Sequence, residues 1–370
     1  MKWGKRMKRI GIVTFFKANN YGVCLQAIAT SEFLKRQGYE VDIINYINLY
    51  EHRIFKWSYK ENDKTIGYVT SLIKNILLGK KLYYNKGFKN VENYYHLTEP
   101  RATKIEQVQD MKYDILIAGS DQIWNPSITG GIDPVFLLEF GTAERRISVA
   151  SSLGSKEPTE TEKNIFKEAF KKFSYISVRE QYAKMCLQNL TDKNIKVLMD
   201  PTFLFNKNEW IELLGRKSKQ CGVKEKYILT YFISAKKSTY QDRVQEYSEK
   251  LNCPVWSIQF SNYTWKVTDK KIMGASIEDF IALFMNAQLI LTDSFHGTAF
   301  SINLNRNFVP FKHSENPLRI INLLNNLGIA DRLDMPAKEY EEIDYVKVNE
   351  KLEILREDSK EWLLNAVDSE

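Results

Sequence analysis

The chain of 370 residues is poor in the side chains that organise folds through covalent or metal bonds, with four cysteines and four histidines. Cys24, Cys186, Cys221 and Cys253 lie far apart, form no CxxC pair and have no histidine at zinc spacing. A disulfide framework and a structural zinc are thereby excluded as organising features. No apolar run approaches the ~20 residues that span a bilayer. The basic start, Met1 to Arg9, runs straight into a strand-like Ile10 to Phe16 with no apolar signal region between. A cytoplasmic, reducing location is the expectation, with Met7 as an alternative start. Also missing are a GxGxxG fingerprint, a P-loop, a GxSxG elbow, an HExxH helix and an Asp/His metal cluster. NAD or FAD binding, ATP hydrolysis and zinc peptidase chemistry are set aside, and neither a metal nor a cofactor is expected.

What is present fits a folded globular protein: 44% of residues are hydrophobic and 27% charged. The length suits two domains of the common ~100–200 residue size. The formal net charge of +7, from 53 basic and 46 acidic side chains, is spread along the chain. It points to anionic partners such as phosphorylated small molecules or lipid headgroups. With no Arg-rich run and no aromatic–basic RNA signature, nucleic acid is not among the expected partners.

Ile10 to Phe16 reads as a buried strand, followed by a polar turn, a helix from about Val23 to Gln37 and a strand from Tyr39 to Tyr46. This is a βαβ opening and implies a parallel sheet. Short β-rich runs recur at Ile115 to Ala118, Ile147 to Ser151, Tyr175 to Val178 and Lys196 to Met199. Arg216 to Lys226 reads as a linker. A second series follows: strands at Tyr227 to Phe232, Pro254 to Ile258 and Leu289 to Thr292, helices at Thr239 to Leu251 and Ile277 to Asn286. The expected fold class is α/β, with two Rossmann-like domains facing a cleft. The boundaries expected are 1–210 with a helical insertion at about 60–100, then 220–335, then a charged helical tail at 336–370. Within the insertion, Lys64 to His96 is basic, aromatic and amphipathic, which suits a helical hairpin packed on the domain or a peripheral membrane contact.

Ligands of doubly wound domains bind beyond the carboxyl ends of the strands, and four polar clusters fall there. Asn20, Tyr21 and Gly22 precede the first helix, where Asn and Gly suit a strand-to-helix turn and the following amides suit an anion. Ser120, Asp121, Gln122, Trp124 and Asn125 follow the strand ending at Ala118. They combine sugar-type hydrogen-bonding groups with an indole for stacking; the alternative is that Ser120 or Asp121 caps the next turn. Arg179 follows Val178 and is read either as a clamp for a carboxylate or phosphate or as the partner of a neighbouring acid. The last cluster, Thr292 to Thr298, places Asp293, Ser294, Phe295, His296, Gly297 and Thr298 between a strand and the helix-like Ala299 to Leu304. His296 suits acid/base work, since imidazole titrates near neutrality.

Taken in order, these clusters resemble the polysaccharide pyruvyl transferase family. The matching pieces are Gly11-Ile12-Val13-Thr14-Phe15 with Asn20-Tyr21-Gly22 and Leu25-Gln26-Ala27, then Gly119 to Asn125, Ala150-Ser151-Ser152-Leu153-Gly154, Ser177-Val178-Arg179-Glu180, Asp200-Pro201-Thr202 and Asp293 to Thr298. The resemblance implies a GT-B-like fold and a transfer from phosphoenolpyruvate, as co-substrate, to two hydroxyls of a sugar. A pyruvate ketal would form and phosphate would leave. It further implies a lipid-linked or nucleotide-linked precursor of a capsular or other surface polysaccharide as acceptor. Under it, His296 and Arg179 contact the donor and Asp121 positions or deprotonates the acceptor. Several characterised members carry Arg-Leu-His where this chain has Ser294-Phe295-His296, so either a cation from elsewhere, such as Arg306 or Lys312, completes the donor site or the chain uses another activated donor. The same fold suits a glycosyltransferase using a nucleotide sugar. A non-catalytic binding protein of a polysaccharide assembly complex is the remaining reading.

Overall fold

The computed structural model describes residues 6–17, 20–51, 87–233, 239–259, 266–312 and 317–369. The described residues fall into two compact units. One takes those within Met1–Lys56, Val91–Leu204 and Leu355–Glu370, the other those within Trp57–Asn90 and Phe205–Ile354.

In the first unit, β1 (Arg9–Val13), α1 (Tyr21–Arg36) and β2 (Glu40–Ile43) form the expected βαβ opening. Asn20 caps α1, Lys35 and Arg36 occupy its last turn, and Gly38 follows at φ 90°, a left-handed angle that suits glycine. The strands β3 (His96–Leu97), β4 (Ile115–Ala118), β5 (Arg145–Ser151), β6 (Tyr175–Val178) and β7 (Ile195–Val197) complete a seven-stranded sheet. Its order is β3-β2-β1-β4-β5-β6-β7 and all its pairings are parallel. A parallel sheet covered on both faces demands apolar residues at successive positions, and Ile115 to Ala118 is buried at all four. The strand order reverses between β1 and β4, so the ligand crevice of such a sheet lies where those two strands end.

The helices α2 (Pro126–Thr129), α3 (Glu160–Phe170) and α4 (Gln181–Leu187) also belong to this unit. Its core gathers Trp124, Phe166, Phe170 and Phe173, with ring centroids of neighbouring pairs 5.6–6.3 Å apart.

The second unit contains α5 (Lys207–Leu213), β8 (Ile228–Tyr231), α6 (Thr239–Leu251), β9 (Val255–Gln259), β10 (Lys270–Met273) and α7 (Ile277–Asn286). It continues through β11 (Leu289–Thr292), α8 (Phe295–Asn303), β12 (Phe308–Pro310) and α9 (Leu318–Leu327). Five parallel strands run in the order β10-β9-β8-β11-β12, so the reversal here lies between β8 and β11. The protein is thus α/β with two Rossmann-like units.

Two expectations need adjusting, and a third falls largely outside the described residues. The stretch Arg216 to Lys226 is packed rather than free: Ser218 Oγ donates to Asp279 at 2.6 Å, and Asn286 Nδ2 donates to the carbonyls of Gln220 and Cys221. The terminal helix α10 (Tyr345–Asp368) begins later than expected, and its residues from Leu355 group with the first unit, where Trp362 meets Tyr175 edge-on at 6.2 Å. Most of the amphipathic stretch 64–96 lies outside the described residues; its end supplies a 3-10 turn at Val91–Tyr94 and the edge strand β3. No helix among the described residues is long and apolar enough to cross a membrane.

Candidate active site

At the β1/β4 switch point, the end of β1 is locked to the loop after β4. Thr14 Oγ1 donates to Ser120 O at 2.9 Å, while Gln26 Nε2, buried on α1, donates to Thr14 Oγ1, Phe15 O and Val23 O. Gly119 is required for this approach, since a Cβ there would lie 2.7 Å from Thr14 Cβ. The chain then turns through Asp121 at φ 73°, a left-handed conformation that costs a non-glycine residue on the order of 1 kcal/mol or more. Asp121 is held in it by Ser152 N–H donating to its carbonyl at 2.9 Å and by Gln122 N–H donating to its own Oδ1 at 2.8 Å.

Arg179, at the end of β6, is paired with neighbouring acids. Its side chain is 3% exposed. Nη1 donates to Asp200 Oδ2 at 2.8 Å, Nε donates to Glu180 Oε1 at 3.1 Å, and Nη2 stands 3.7 Å from Asp121 Oδ1. Burial works against the guanidinium charge, but Glu180, Asp200 and Asp121 more than offset it and raise its pKa above the ordinary value. The acids are themselves tethered. Ser152 Oγ donates to Glu180 Oε1 at 2.7 Å, and Thr202 donates to Asp200 Oδ1 through both N–H and Oγ1. The guanidinium is thus shared by three carboxylates, of which Asp121 is the most distant and is not hydrogen-bonded to it.

The remaining residues of this cluster separate into structural and open positions. Asn20 Oδ1 caps α1 through Gly22 N–H at 2.9 Å, and Tyr21 is fully buried. Asn125 caps α2 and donates to Gln122 Oε1 at 2.8 Å. Trp124 is 1% exposed, its indole N–H donates to Phe136 O, and its ring lies among phenylalanines. It is a core side chain and cannot be the stacking face expected of it. Ser120 Oγ is buried without a hydrogen-bond partner among the described residues.

The pattern of residue types gave no hint of Glu51. It closes a helical turn after β2 at 7% exposure, and burial together with the charge of Asp121 pushes its carboxyl up to about 8.

At the β8/β11 switch point the second unit builds its own site. Asp293 Oδ1 accepts from Ile233 N–H at 2.7 Å, fastening the loop after β8 to the end of β11. Thr292 Oγ1 donates to Tyr231 O and accepts from Ser294 N–H. The helix α8 starts at Phe295, four residues before the expected Ala299, because Ser294 is its N-cap and accepts from Gly297 N–H at 3.2 Å. Thr298 Oγ1 turns back to Ser294 O at 3.0 Å. Gly297 lets α8 sit against β11, since a Cβ there would lie 2.3 Å from Thr292 Oγ1.

His296 is therefore in the first helical turn, 6% exposed, with its ring edge-on to Phe295 at 5.2 Å. The guanidinium of Arg319, on α9, lies 5.4 Å from the centre of the Phe295 ring. Of the cations considered from sequence, Lys312 follows β12 and is on the same sheet edge as His296. Arg306 precedes β12 and so lies at the opposite edge, which removes it as a partner of His296.

Similarity to known proteins completes the picture. Solved structures resembling the chain include a UDP-N-acetylglucosamine 2-epimerase from Rickettsia bellii, at 12% identity, 98% coverage of each chain and a TM-score of 0.49. Another is the UDP-GlcNAc 2-epimerase from Neisseria meningitidis bound to UDP-GlcNAc, at 10% identity, 98% and 95% coverage and a TM-score of 0.48. A glycosyltransferase from Rickettsia africae has 11% identity, 99% and 100% coverage and a TM-score of 0.48. No curated protein matches the sequence significantly. The model of one family, polysaccharide pyruvyl transferase, matches residues 20–315, a span that takes in Asp121, Arg179 and His296. The chain belongs to the polysaccharide pyruvyl transferase family.

Proposed function

We propose that the protein transfers the pyruvyl group of phosphoenolpyruvate to two hydroxyls of a sugar in a surface-polysaccharide precursor, forming a cyclic ketal and releasing phosphate. The observation that carries this reading is the family match from residue 20 to 315, which spans the switch points of both units. Ketal formation begins when the donor's methylene carbon takes a proton, leaving a cationic carbon that a hydroxyl oxygen attacks. The chemistry needs a base for the hydroxyl, an acid for the carbon and cationic support for phosphate and carboxylate.

The second unit suits the anionic donor. His296 stands at the positive end of α8, and Arg319 and Lys312 are cations on the same sheet edge. We assign His296 to phosphate contact or proton transfer. The first unit, rich in carboxylates, suits the uncharged acceptor, with Asp121 taking the hydroxyl proton and Arg179 positioning Asp121. The acceptor in this reading is carried on a lipid or a nucleotide on the cytoplasmic side.

The test is incubation with phosphoenolpyruvate and lipid-linked or nucleotide-linked sugars, following phosphate release and the mass of the acceptor. One phosphate released per pyruvyl ketal gained supports the reading. Transfer of a hexose with release of a nucleotide, and none from phosphoenolpyruvate, would replace it by a glycosyltransferase.

A further inference from the structure

In α7, Phe280, Ile281, Ala282, Leu283 and Phe284 are all buried. Successive buried positions leave no face of a helix to solvent, so α7 needs cover beyond its own sheet. Part of that cover is the segment leading into β8. Its 3-10 turn, Gly215–Lys217, packs on the helix closely enough that a Cβ at Gly215 would meet Ile281 Cγ2 at 3.4 Å. Ser218 Oγ donates to Asp279, in the first turn of α7, at 2.6 Å. Asn286 Nδ2, on its last residue, donates to Gln220 O at 2.9 Å and to Cys221 O at 3.3 Å. The segment is thus a strap fastened near both ends of the helix.

With Gly215 and Ser218 buried, the long side chains of the strap stand in solvent. Arg216, Lys217, Lys219, Lys224 and Lys226 are exposed, and Glu225 is the one acid among residues 216–226. Five basic residues against one acid give this short segment +4 of the +7 carried by the whole chain. An ordinary solvated surface mixes both signs, whereas one sign concentrated on a fixed strap sets up a local positive field. The tip between Lys219 and Lys224 is small and apolar. Cys221 and Val223 are half-buried, Gly222 is exposed, and a Cβ at Gly222 would meet nothing within 4 Å.

We propose that residues 216–226 form a docking surface for an anionic lipid bilayer, with the lysines against the headgroups and the Cys221-Gly222-Val223 tip between them. The inference is independent of the pyruvyl-transfer reading. Lysine outnumbers arginine four to one here, which suits diffuse attraction to many headgroups over bidentate capture of one. An apolar tip between lysines matches the step from headgroup to acyl boundary. The segment has no Phe, Tyr or Trp on which a base could stack, which disfavours a single-stranded nucleic acid.

The full chain is sedimented with vesicles of equal parts phosphatidylglycerol and phosphatidylcholine, and with vesicles of phosphatidylcholine alone. Binding is expected to the first kind only, and to fall at least about tenfold between about 0.1 M and about 0.5 M salt, as screening shortens the reach of the charges. A lysine near an anionic surface contributes about fivefold, so Lys219→Gln/Lys224→Gln should weaken binding about twentyfold or more. Lys347→Gln/Lys351→Gln removes the same charge from exposed positions on α10 and should stay within about twofold of the wild type. Both variants should keep the wild-type urea midpoint, since neither alters a buried side chain.

The proposal is overturned if the wild type does not bind the anionic vesicles, if it binds both kinds alike, or if Lys219→Gln/Lys224→Gln keeps its binding in full, which would place the contact elsewhere in the chain. Equal losses in the two double variants would overturn it too, by making net charge rather than the strap responsible. Binding of a fluorescent oligonucleotide that Lys219→Gln/Lys224→Gln loses, with vesicle binding kept, would make the strap a nucleic-acid surface instead. A protein that binds vesicles through the strap yet releases no phosphate from phosphoenolpyruvate would refute the donor assignment and leave the docking surface standing.

Discussion

Replacing Arg179 separates a structural cation from a substrate clamp. Its guanidinium is the shared partner of Asp200 at 2.8 Å, Glu180 at 3.1 Å and Asp121 at 3.7 Å, and the three acid side chains are 0%, 7% and 10% exposed. Removing one partner of a buried ion pair costs about 3–5 kcal/mol, because the other is left charged without compensation. Here three carboxylates lose one cation, and Glu180 Oε2 already lacks a hydrogen-bond partner among the described residues. The upper end of that range, about 5 kcal/mol, is therefore expected for Arg179→Met, which keeps most of the volume but removes the charge and the donors to Glu180 and Asp200. Against a typical total of about 5–15 kcal/mol, such a loss brings the first unit close to unfolding. Arg179→Lys restores the charge but not the fork that serves Glu180 through Nε and Asp200 through Nη1, so it recovers only part of the loss. Urea unfolding followed by tryptophan fluorescence, together with hydrogen exchange across β5 and β6, measures the effect. In Arg179→Lys, activity should fall chiefly in kcat, with KM for phosphoenolpyruvate little changed. The reasoning fails if Arg179→Met unfolds within about 1 kcal/mol of the wild type while KM for phosphoenolpyruvate rises a hundredfold, which is the signature of an anion clamp.

Three further outcomes follow from the packing and charge. Glu51 has a folded-state pKa of about 8 against an ordinary 4.5, so between those pH values the folded protein binds a proton that the unfolded chain has released. The contribution is fully present below about pH 4.5 and is lost as the pH rises to about 8; at about 1.4 kcal/mol per pH unit, wild type should lose on the order of 4 kcal/mol relative to Glu51→Gln. Parallel urea midpoints for the two proteins from pH 5 to 8.5 would contradict this. Gly297→Ala drives a methyl against Thr292 Oγ1 and should cost about 1–3 kcal/mol; adding Thr292→Ala should recover part of that, and strictly additive losses in the double-mutant cycle would argue against the contact. Trp124→Ala should cost about 3–5 kcal/mol through lost packing on Phe166, Phe170 and Phe173, whereas unchanged stability with weakened sugar binding would restore the stacking role.

The fold was legible where the sequence concentrates apolar residues between turn signals. Ile115 to Ala118, Tyr175 to Val178 and Leu289 to Thr292 are strands with the expected limits, since each is a short apolar run buried on both faces of a parallel sheet. Three of the four edge strands were not legible. β3 has two residues, β10 reads Lys-Lys-Ile-Met, and β12 has three residues ending in Pro310, so none shows the apolar pattern of a central strand. The sites divide in the same way. Polar clusters after strands pointed to Asp121, Arg179 and His296, but not to what each touches. Arg179 lies 58 residues from Asp121 and 21 from Asp200, and only the order of β4, β5, β6 and β7 brings the three together. Glu51 carried no signal at all, because its burial depends on Asp133 holding the preceding turn from a distant part of the chain.

Charge gives the assignment of substrates to units its physical basis. Although the whole chain is formally +7, the β1/β4 switch point sets one guanidinium among Asp121, Glu180 and Asp200. A phosphate or carboxylate 4 Å from one uncompensated acid there would be repelled by about 4 kcal/mol even at an effective dielectric of 20. A sugar brings no net charge and offers hydroxyls that can donate to a carboxylate. At the β8/β11 switch point the balance is reversed. Among the described residues, Asp293 is tied to Ile233 N–H and Asp334 is engaged by Lys312 N–H and Arg243, while the positive end of α8 lies on the same sheet edge as Lys312 and Arg319. The Arg179 fork was the natural anion clamp when its partners were unknown. Once three acids occupy it, the proposed donor contact falls to the unit that contains His296 and the proposed acceptor contact to Asp121.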